Sequence, residues 1–223
     1  MDRARKIFLA GAVAFLLCLS YTGLANADLM QAGGFENPSL SGSWGLFNSS
    51  SVTGWDSPNL LEFQKSTLYG PAAEGSQYME LDSNRGDGNQ FVTQTFSTSI
   101  GARYTLRFAF SPRPGHGENI LEVGIGGLGD FSLLQGIMAQ GSGVGLRQTA
   151  WTYYTLDFVA TGSQTRIGFR DAGRDDSLGT LLDDVSVSGG AASAPEPATL
   201  LLVAGPLAGL AAWRRRRQKA ARA

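Results

Sequence analysis

The sequence predicts an all-β protein whose central part is a two-sheet sandwich. Between residues 28 and 188, apolar residues recur with period two, and no stretch sustains a capped 3.6-residue apolar pattern. Clusters of Gly, Asn, Ser and Asp punctuate these runs. Glycine supplies 30 of 223 residues, nearly twice its usual ~7% share. With 8 Pro and no G-X-Y period, the chain is turn-rich and not collagen-like. Hydrophobic residues at 43% and charged residues at 17% leave ample material for a core and exclude a disordered polyampholyte.

The chain opens on Met-Asp-Arg-Ala-Arg-Lys, runs apolar over 7–19 and reaches Ala25-Asn26-Ala27. A positive start, a short greasy centre and an A-x-A end predict a secretory signal peptide over 1–27, cleaved before Asp28. An uncleaved anchor helix is the alternative, and the small-residue site argues against it. Cys18 follows Leu17, which is too large for a lipoprotein site. Cys18 and His116 are the only residues of their kinds. Disulfide frameworks, Cys/His zinc sites and most His-based catalysis are thereby excluded.

The domain 28–188 follows as about eight or nine short strands. Candidates lie at Phe35, 60–64, 77–82 and 91–97. In the next run Tyr104, Leu106, Phe108 and Phe110 share one face, and Arg103, Thr105 and Arg107 the other. Leu121, Val123 and Ile125 alternate likewise, as do Tyr154, Leu156, Phe158 and Ala160, then Ile167 and Phe169, then Val185 and Val187. The Gly-rich stretch 126–148 reads as a long loop, or as an irregular strand near 131–134. The segment 82–89 reads as a hairpin turn; Gly86 at its fifth position and the lack of a closing Glu rule out an EF-hand.

Ordered pieces along this region resemble a known family. They are Gly33-Gly34-Phe35-Glu36, Gly54-Trp55, Glu74-Gly75, Tyr78-Met-Glu-Leu-Asp82 and Gln94-Thr-Phe-Ser-Thr98. Gly101-x-x-Tyr104-x-Leu-x-Phe108, Trp151 to Ala160 and Leu182-Asp-Asp-Val185 complete the set. The series is similar to the galactose-binding-like jelly rolls of the choice-of-anchor C type and their plant cell-wall relatives. The resemblance implies a jelly-roll sandwich related to carbohydrate-binding modules, although Ala32-Gly33 departs from the usual Asn-Gly opening. In such jelly rolls the first and last strands lie together around a structural Ca²⁺. That implies Glu36 and Asp183 beside one metal, with backbone carbonyls completing six to eight oxygens. Strand alternation independently sets Asp183 in phase with Leu181, Val185 and Val187, hence inward, with Asp184 outward. The alternative is an Asp183 that pairs with Arg or caps a turn.

A linker, 189–194, leads to Pro195-Glu196-Pro197, an uncharged run over 198–213, and Arg214, Arg215, Arg216 and Arg217. As a helix the run spans about 24 Å, short for a bilayer core of about 30 Å. The arginines would hold its end in the cytoplasm. This three-part ending resembles the PEP-CTERM sorting signal. The resemblance implies recognition by an exosortase-type membrane transpeptidase, cleavage near the Pro-Glu-Pro motif and delivery to the surface or matrix of a Gram-negative bacterium. Before processing, the helix would place the chain in the inner membrane.

Charge and residue types narrow the function. Residues 28–194 hold 9 Lys or Arg against 17 Asp or Glu, a net charge of −8, which disfavours nucleic acid. No G-x-S-x-G elbow and no phosphate loop exists. Flat rings that can stack on pyranose faces are Trp44, Trp55, Tyr69, Trp151 and Tyr153. Trp44, in a Ser/Gly/Asn-rich loop, is the better exposed. Trp55 after Gly54 reads as packing. Trp151 and Tyr153 fall on an outer sheet face, where Arg107 and Arg170 can donate hydrogen bonds if their strands neighbour. The expectation is a non-catalytic exported protein that contacts polysaccharide. The rivals are a structural or adhesive matrix protein without a sugar site, and a glycan-processing enzyme using an acidic pair that nothing singles out.

Overall fold

The computed structural model describes residues 28–83, 89, 91–126 and 133–190. The segment 1–27 expected to be a signal peptide, most of the 82–89 segment expected to be a hairpin turn, and the expected sorting signal with Pro195, Glu196, Pro197 and Arg214 to Arg217 lie outside the described residues. Among the described residues, no helix is long and apolar enough to cross a membrane.

Strand β1 is Trp44–Phe47, β2 Leu61–Lys65, β3 Gln77–Glu80, β4 Val92–Ser97 and β5 Arg103–Ser111. Strand β6 is Asn119–Gly126, β7 Leu133–Gly141, β8 Thr152–Val159, β9 Gln164–Asp171 and β10 Leu181–Gly189. A 3-10 turn covers Ser49–Ser51, and one helical turn, α1, covers Ser66–Tyr69. The strands form two antiparallel sheets. One has the order β1-β2-β3-β10-β5-β8 and the other β4-β9-β6-β7. The expectation of an all-β, two-sheet domain therefore holds.

Period-two alternation explains the core. Leu61 and Phe63 of β2, Met79 of β3, and Leu106, Phe108 and Phe110 of β5 point between the sheets. They meet Val92 and Phe96 of β4, Leu121 and Val123 of β6, and Ile167 and Phe169 of β9. Phe108 and Phe169 join the sheets edge to face at 5.2 Å, and Trp55 bridges Phe169 to Phe35 at 6.2 and 5.3 Å.

Three expectations differ from the structure. Phe35 is not in a strand. It lies in a turn at φ 52°, and its ring, not its backbone, is what the core requires. Trp44–Phe47 is a strand rather than a loop, because pairing with β2 satisfies its backbone despite the Gly/Ser-rich sequence. The stretch read as a long loop, or as an irregular strand near 131–134, contains the longer strand β7, whose pairing with β6 shifts register at Leu121/Glu122 and Glu122/Gly124. Such bulges erase the regular alternation on which a sequence reading depends.

Asp183 also needs correction. It pairs with Ala109, while Leu182 pairs with the core residue Phe110. Leu181 and Asp183 therefore face away from the sandwich interior, on the far side of the six-stranded sheet. A bulge between Asp183 and Ser186, with Asp184 at φ 45°, then resets the phase so that Val185 and Val187 point inward. Asp183 is still fully buried, because the loop 70–76 lies over it. Beyond the bulge the N-terminal segment runs beside β10: Leu29 N–H donates to the Val187 carbonyl at 2.9 Å and Val185 N–H to the Gly33 carbonyl at 3.0 Å.

Candidate functional site

The outer face of the six-stranded sheet carries polar side chains in two cross-strand rows. Trp44, Gln64 and Tyr78 form one; Leu46, Glu62, Glu80 and Leu181 form the other. Residues facing outward from a sheet are ordinarily solvated. Here Glu62, Gln64, Tyr78 and Glu80 are buried, because α1, the loop 70–76 and the turn after β5 fold back over them.

Hydrogen bonds fix this cover. Trp151 Nε1–H and Thr149 Oγ1–H both donate to the Pro71 carbonyl at 2.7 Å. Asp183 Oδ2 accepts from the N–H groups of Ala73 and Glu74 at 2.8 and 3.0 Å. Glu36 Oε1 accepts from Ser76 and Gln77 N–H at 2.6 and 2.7 Å, and its Oε2 from the Ser76 hydroxyl at 2.8 Å. Glu36 and Asp183 thus grip one loop from both ends of the domain.

Beside this cover lies an open cleft of about 370 Å³, lined by Trp44, Leu46, Glu62, Gln64, Tyr69 and Arg113 among others. Trp44 is 53% exposed and Leu46 37%. Arg113, 6% exposed, reaches in from the turn after β5. Its Nη1 lies 3.1 Å from Glu80 Oε1, its Nη2 donates to the Tyr69 hydroxyl at 3.1 Å, and its Cζ lies 5.0 Å from the Tyr69 ring centre. Gln64 Nε2 donates to Glu62 Oε1 at 2.8 Å. Glu80 Oε1 also accepts from Gly179 N–H.

Burial sets the electrostatics. It pushes the Glu80 carboxyl well above its usual value, with the Glu62 charge adding to the rise and Arg113 only partly offsetting it. Glu62 is raised for the same first reason, with the Gln64 hydrogen bond and the Arg113 charge opposing the rise. Gln64 Oε1, Glu80 Oε2 and Arg113 Nε are buried without a hydrogen-bond partner. Groups of this kind are costly unless something else completes them.

The other sequence candidates are scattered. Tyr153 is 45% exposed on the same outer face, near the β8 edge. The Arg107 guanidinium sits 3.8 Å from its ring centre and pairs with Asp184 at 2.7 Å, and Tyr153 O–H donates to the same carboxylate at 3.0 Å. Trp151 is half-buried, edge-on to Tyr78 at 5.5 Å, and serves the cover. Arg170 is on the other sheet, paired with Glu122 at 2.6 Å, and does not join Trp151 or Tyr153, because β9 and β8 belong to different sheets. Trp55 is buried, with its N–H on the Ala32 carbonyl at 3.2 Å. Glu62, Gln64, Glu80 and Arg113 were not singled out by sequence. Alternation in the 60–64 and 77–82 runs places the first three outward, but only the returning loops turn that face into a cleft.

Asp183 Oδ1 accepts one N–H, from Asp184 at 2.7 Å, and Glu36 Oε2 accepts only the Ser76 hydroxyl. Each carboxylate keeps one oxygen with a free lone pair, so both fit as single hard-oxygen donors. Among the described residues no three His, Cys, Asp or Glu side chains gather into a metal cage; backbone oxygens would have to supply the rest.

Residues 28–188 match the family described as protein of unknown function (DUF642). No curated protein matches the chain. Among solved structures, the chain is similar to the CBM22-1 xylan-binding domain of Paenibacillus barcinonensis Xyn10C, at 13% identity and TM-score 0.49, over 76% of this chain and 98% of that one. It is also similar to a family 35 carbohydrate-binding module from Clostridium thermocellum, at 12% identity and TM-score 0.42, over 66% and 98%. An arabinose-bound α-L-arabinofuranosidase is a third, at 14% identity and TM-score 0.48, over 74% of this chain but only 26% of that one.

Proposed function

The chain belongs to the DUF642 family, and from its own cleft we propose that it is an exported, non-catalytic protein that binds polysaccharide through Trp44 and the floor beside it. The observation that carries this is a ring 53% exposed, next in register to buried hydrogen-bonding side chains. Pyranoses present apolar C–H faces and polar hydroxyl edges. A flat ring takes the first, and Glu62, Gln64 and Arg113 are placed to take the second. The pair Glu62 and Glu80 suits binding better than hydrolysis. Glu80 is already engaged by Arg113 and by Gly179 N–H, so it is not free to serve as the acid or nucleophile that a glycosidase pair needs.

The terminal segments supply the setting: export through residues 1–27, then sorting by an exosortase-type transpeptidase through Pro195-Glu196-Pro197 and the arginine block, to the cell surface or matrix of a Gram-negative bacterium. A Ca²⁺ held by Glu36 and Asp183 would neutralise a buried carboxylate and lock the loop 70–76 that walls the cleft.

Affinity electrophoresis in polysaccharide-containing gels tests the binding. Retardation by at least one matrix or plant-type polysaccharide is expected, with Trp44→Ala losing about ten-fold or more in affinity, as for an anchoring ring. An unaltered melting curve for that variant keeps folding out of the result. Absence of retardation by every polymer, the producing cell's own included, would leave the structural-matrix reading in its place.

A further inference from the structure

We propose that two copies of the chain join edge to edge through β8, antiparallel about a two-fold axis at Leu156. The two sheets have four edges. An edge strand presents a row of unpaired N–H and C=O groups, which proteins ordinarily blunt with short strands, bulges, charged side chains, Pro or a covering segment. Among the described residues three of these edges are blunted. Strand β1 has only four residues. Strand β4 is bridged by Asp56, which exchanges both backbone hydrogen bonds with Thr93 at 2.8 Å. Strand β7 is bulged against β6 at two places. Strand β8 differs. It runs for eight residues in one unbroken register with β5 and contains no Lys, Arg or Pro. It ends the six-stranded sheet, and among the described residues no further backbone pairs with it.

The strand is complementary to itself. In an antiparallel pair, directly opposite residues share a face of the sheet. Centred on Leu156, the pairing sets Tyr153 opposite Val159 of the second copy on the outer face, and Tyr154 opposite Phe158 on the inner one. Tyr153 and Val159 are 45% and 47% exposed, and Tyr154 and Leu156 are only partly buried. The pairing therefore covers the large side chains that β5 and the core leave open. Charge agrees. The one charge on β8, Asp157, falls opposite the neutral Thr155, in the cross-strand row that also holds Arg107, so no like charges oppose each other. A contact that uses the same patch on both copies closes at two, and the blunted edges offer no route to a longer array. Strand β1, with its cleft, is the opposite edge of the sheet and stays free. The dimer thus stands or falls independently of polysaccharide binding.

The test uses the full-length chain in detergent micelles, with Cys18→Ser so that an introduced thiol is the only one. Leu156→Cys places a thiol on the axis, facing its own copy, and a mild oxidant should convert it to a covalent dimer. Val159→Cys is the control. Its two copies would stand six residues out of register, about 20 Å apart, so it should stay monomeric. Random collision, or association through another part of the chain, would instead cross-link the exposed position 159 at least as readily as the half-buried 156. A second measurement needs no thiol. Thr155→Asp opposes Asp157 of the second copy at two symmetric places and should weaken the dimer about five-fold or more in sedimentation equilibrium. Within its own chain the new carboxylate faces Arg107, so the melting temperature should stay near the parent's. Thr155→Lys places opposite charges at the same two places and should not weaken the dimer. A monomer at every concentration, an assembly larger than two, or cross-linking at 159 equal to that at 156 overturns the proposal. If Leu156→Cys fails to fold, equal association of Thr155→Asp and Thr155→Lys overturns it.

Discussion

Glu62 of β2 and Glu80 of β3 face each other directly across the strand pair, and one guanidinium, Arg113, lies 3.1 Å from Glu80 beside them. Like charges opposite one another weaken a sheet. Both are buried, and burial raises both carboxyls, so protonation together with Arg113 offsets the repulsion. The floor of the cleft is therefore polar at a cost in stability, which a purely structural sheet face has no reason to bear.

Removing Arg113 should expose that cost. Arg113→Met leaves Glu80 buried without its cation and should lose about 3–5 kcal/mol of unfolding free energy. Combining it with Glu80→Gln should recover most of the loss. Urea denaturation measures both, and a single variant within about 1 kcal/mol of the parent would contradict the role assigned to the pair.

Asp171 gives a pH dependence. Burial pushes its carboxyl up to about 7, against the N–H groups of Thr180 and Gly173 that favour its ionised form. An acid whose value is raised on folding stabilises fully below its unfolded value near 4, and the benefit is lost as pH rises through 7. Without added calcium, melting should occur on the order of 5 °C higher at pH 5 than at pH 8. Asp171→Asn should reduce that trend and leave the part owed to Asp183, which burial also pushes up to about 7; a parent protein more stable at pH 8 would contradict it.

For the proposed calcium ion, EDTA should lower the melting temperature, and Asp183→Ala should melt low with or without EDTA. Identical curves for the parent protein with and without chelator would remove the metal from the account.

For sorting, the surface form should have an intact mass lacking residues 1–27 and the segment beyond the Pro-Glu-Pro motif. Deleting 195–217 should send unprocessed protein to the periplasm or medium. A surface form that keeps Arg214 to Arg217 would rule out the cleavage.

Sequence alone determined the all-β class and most inward faces, because strand alternation is local: Leu106, Phe108 and Phe110, or Ile167 and Phe169, declare their side of the sheet within a few residues. It also put Tyr153 and Arg107 outward. The tertiary structure alone decided what the outward faces became. Asp183 left its expected side because a bulge at Asp184 changes phase without altering residue type. Glu62, Gln64 and Glu80 went from solvent-facing to buried because α1 and the loop 70–76, held by Glu36, Asp183 and Trp151 from distant parts of the chain, fold over them. Such closures depend on contacts between residues up to 110 positions apart, and periodicity along the chain carries no information about them.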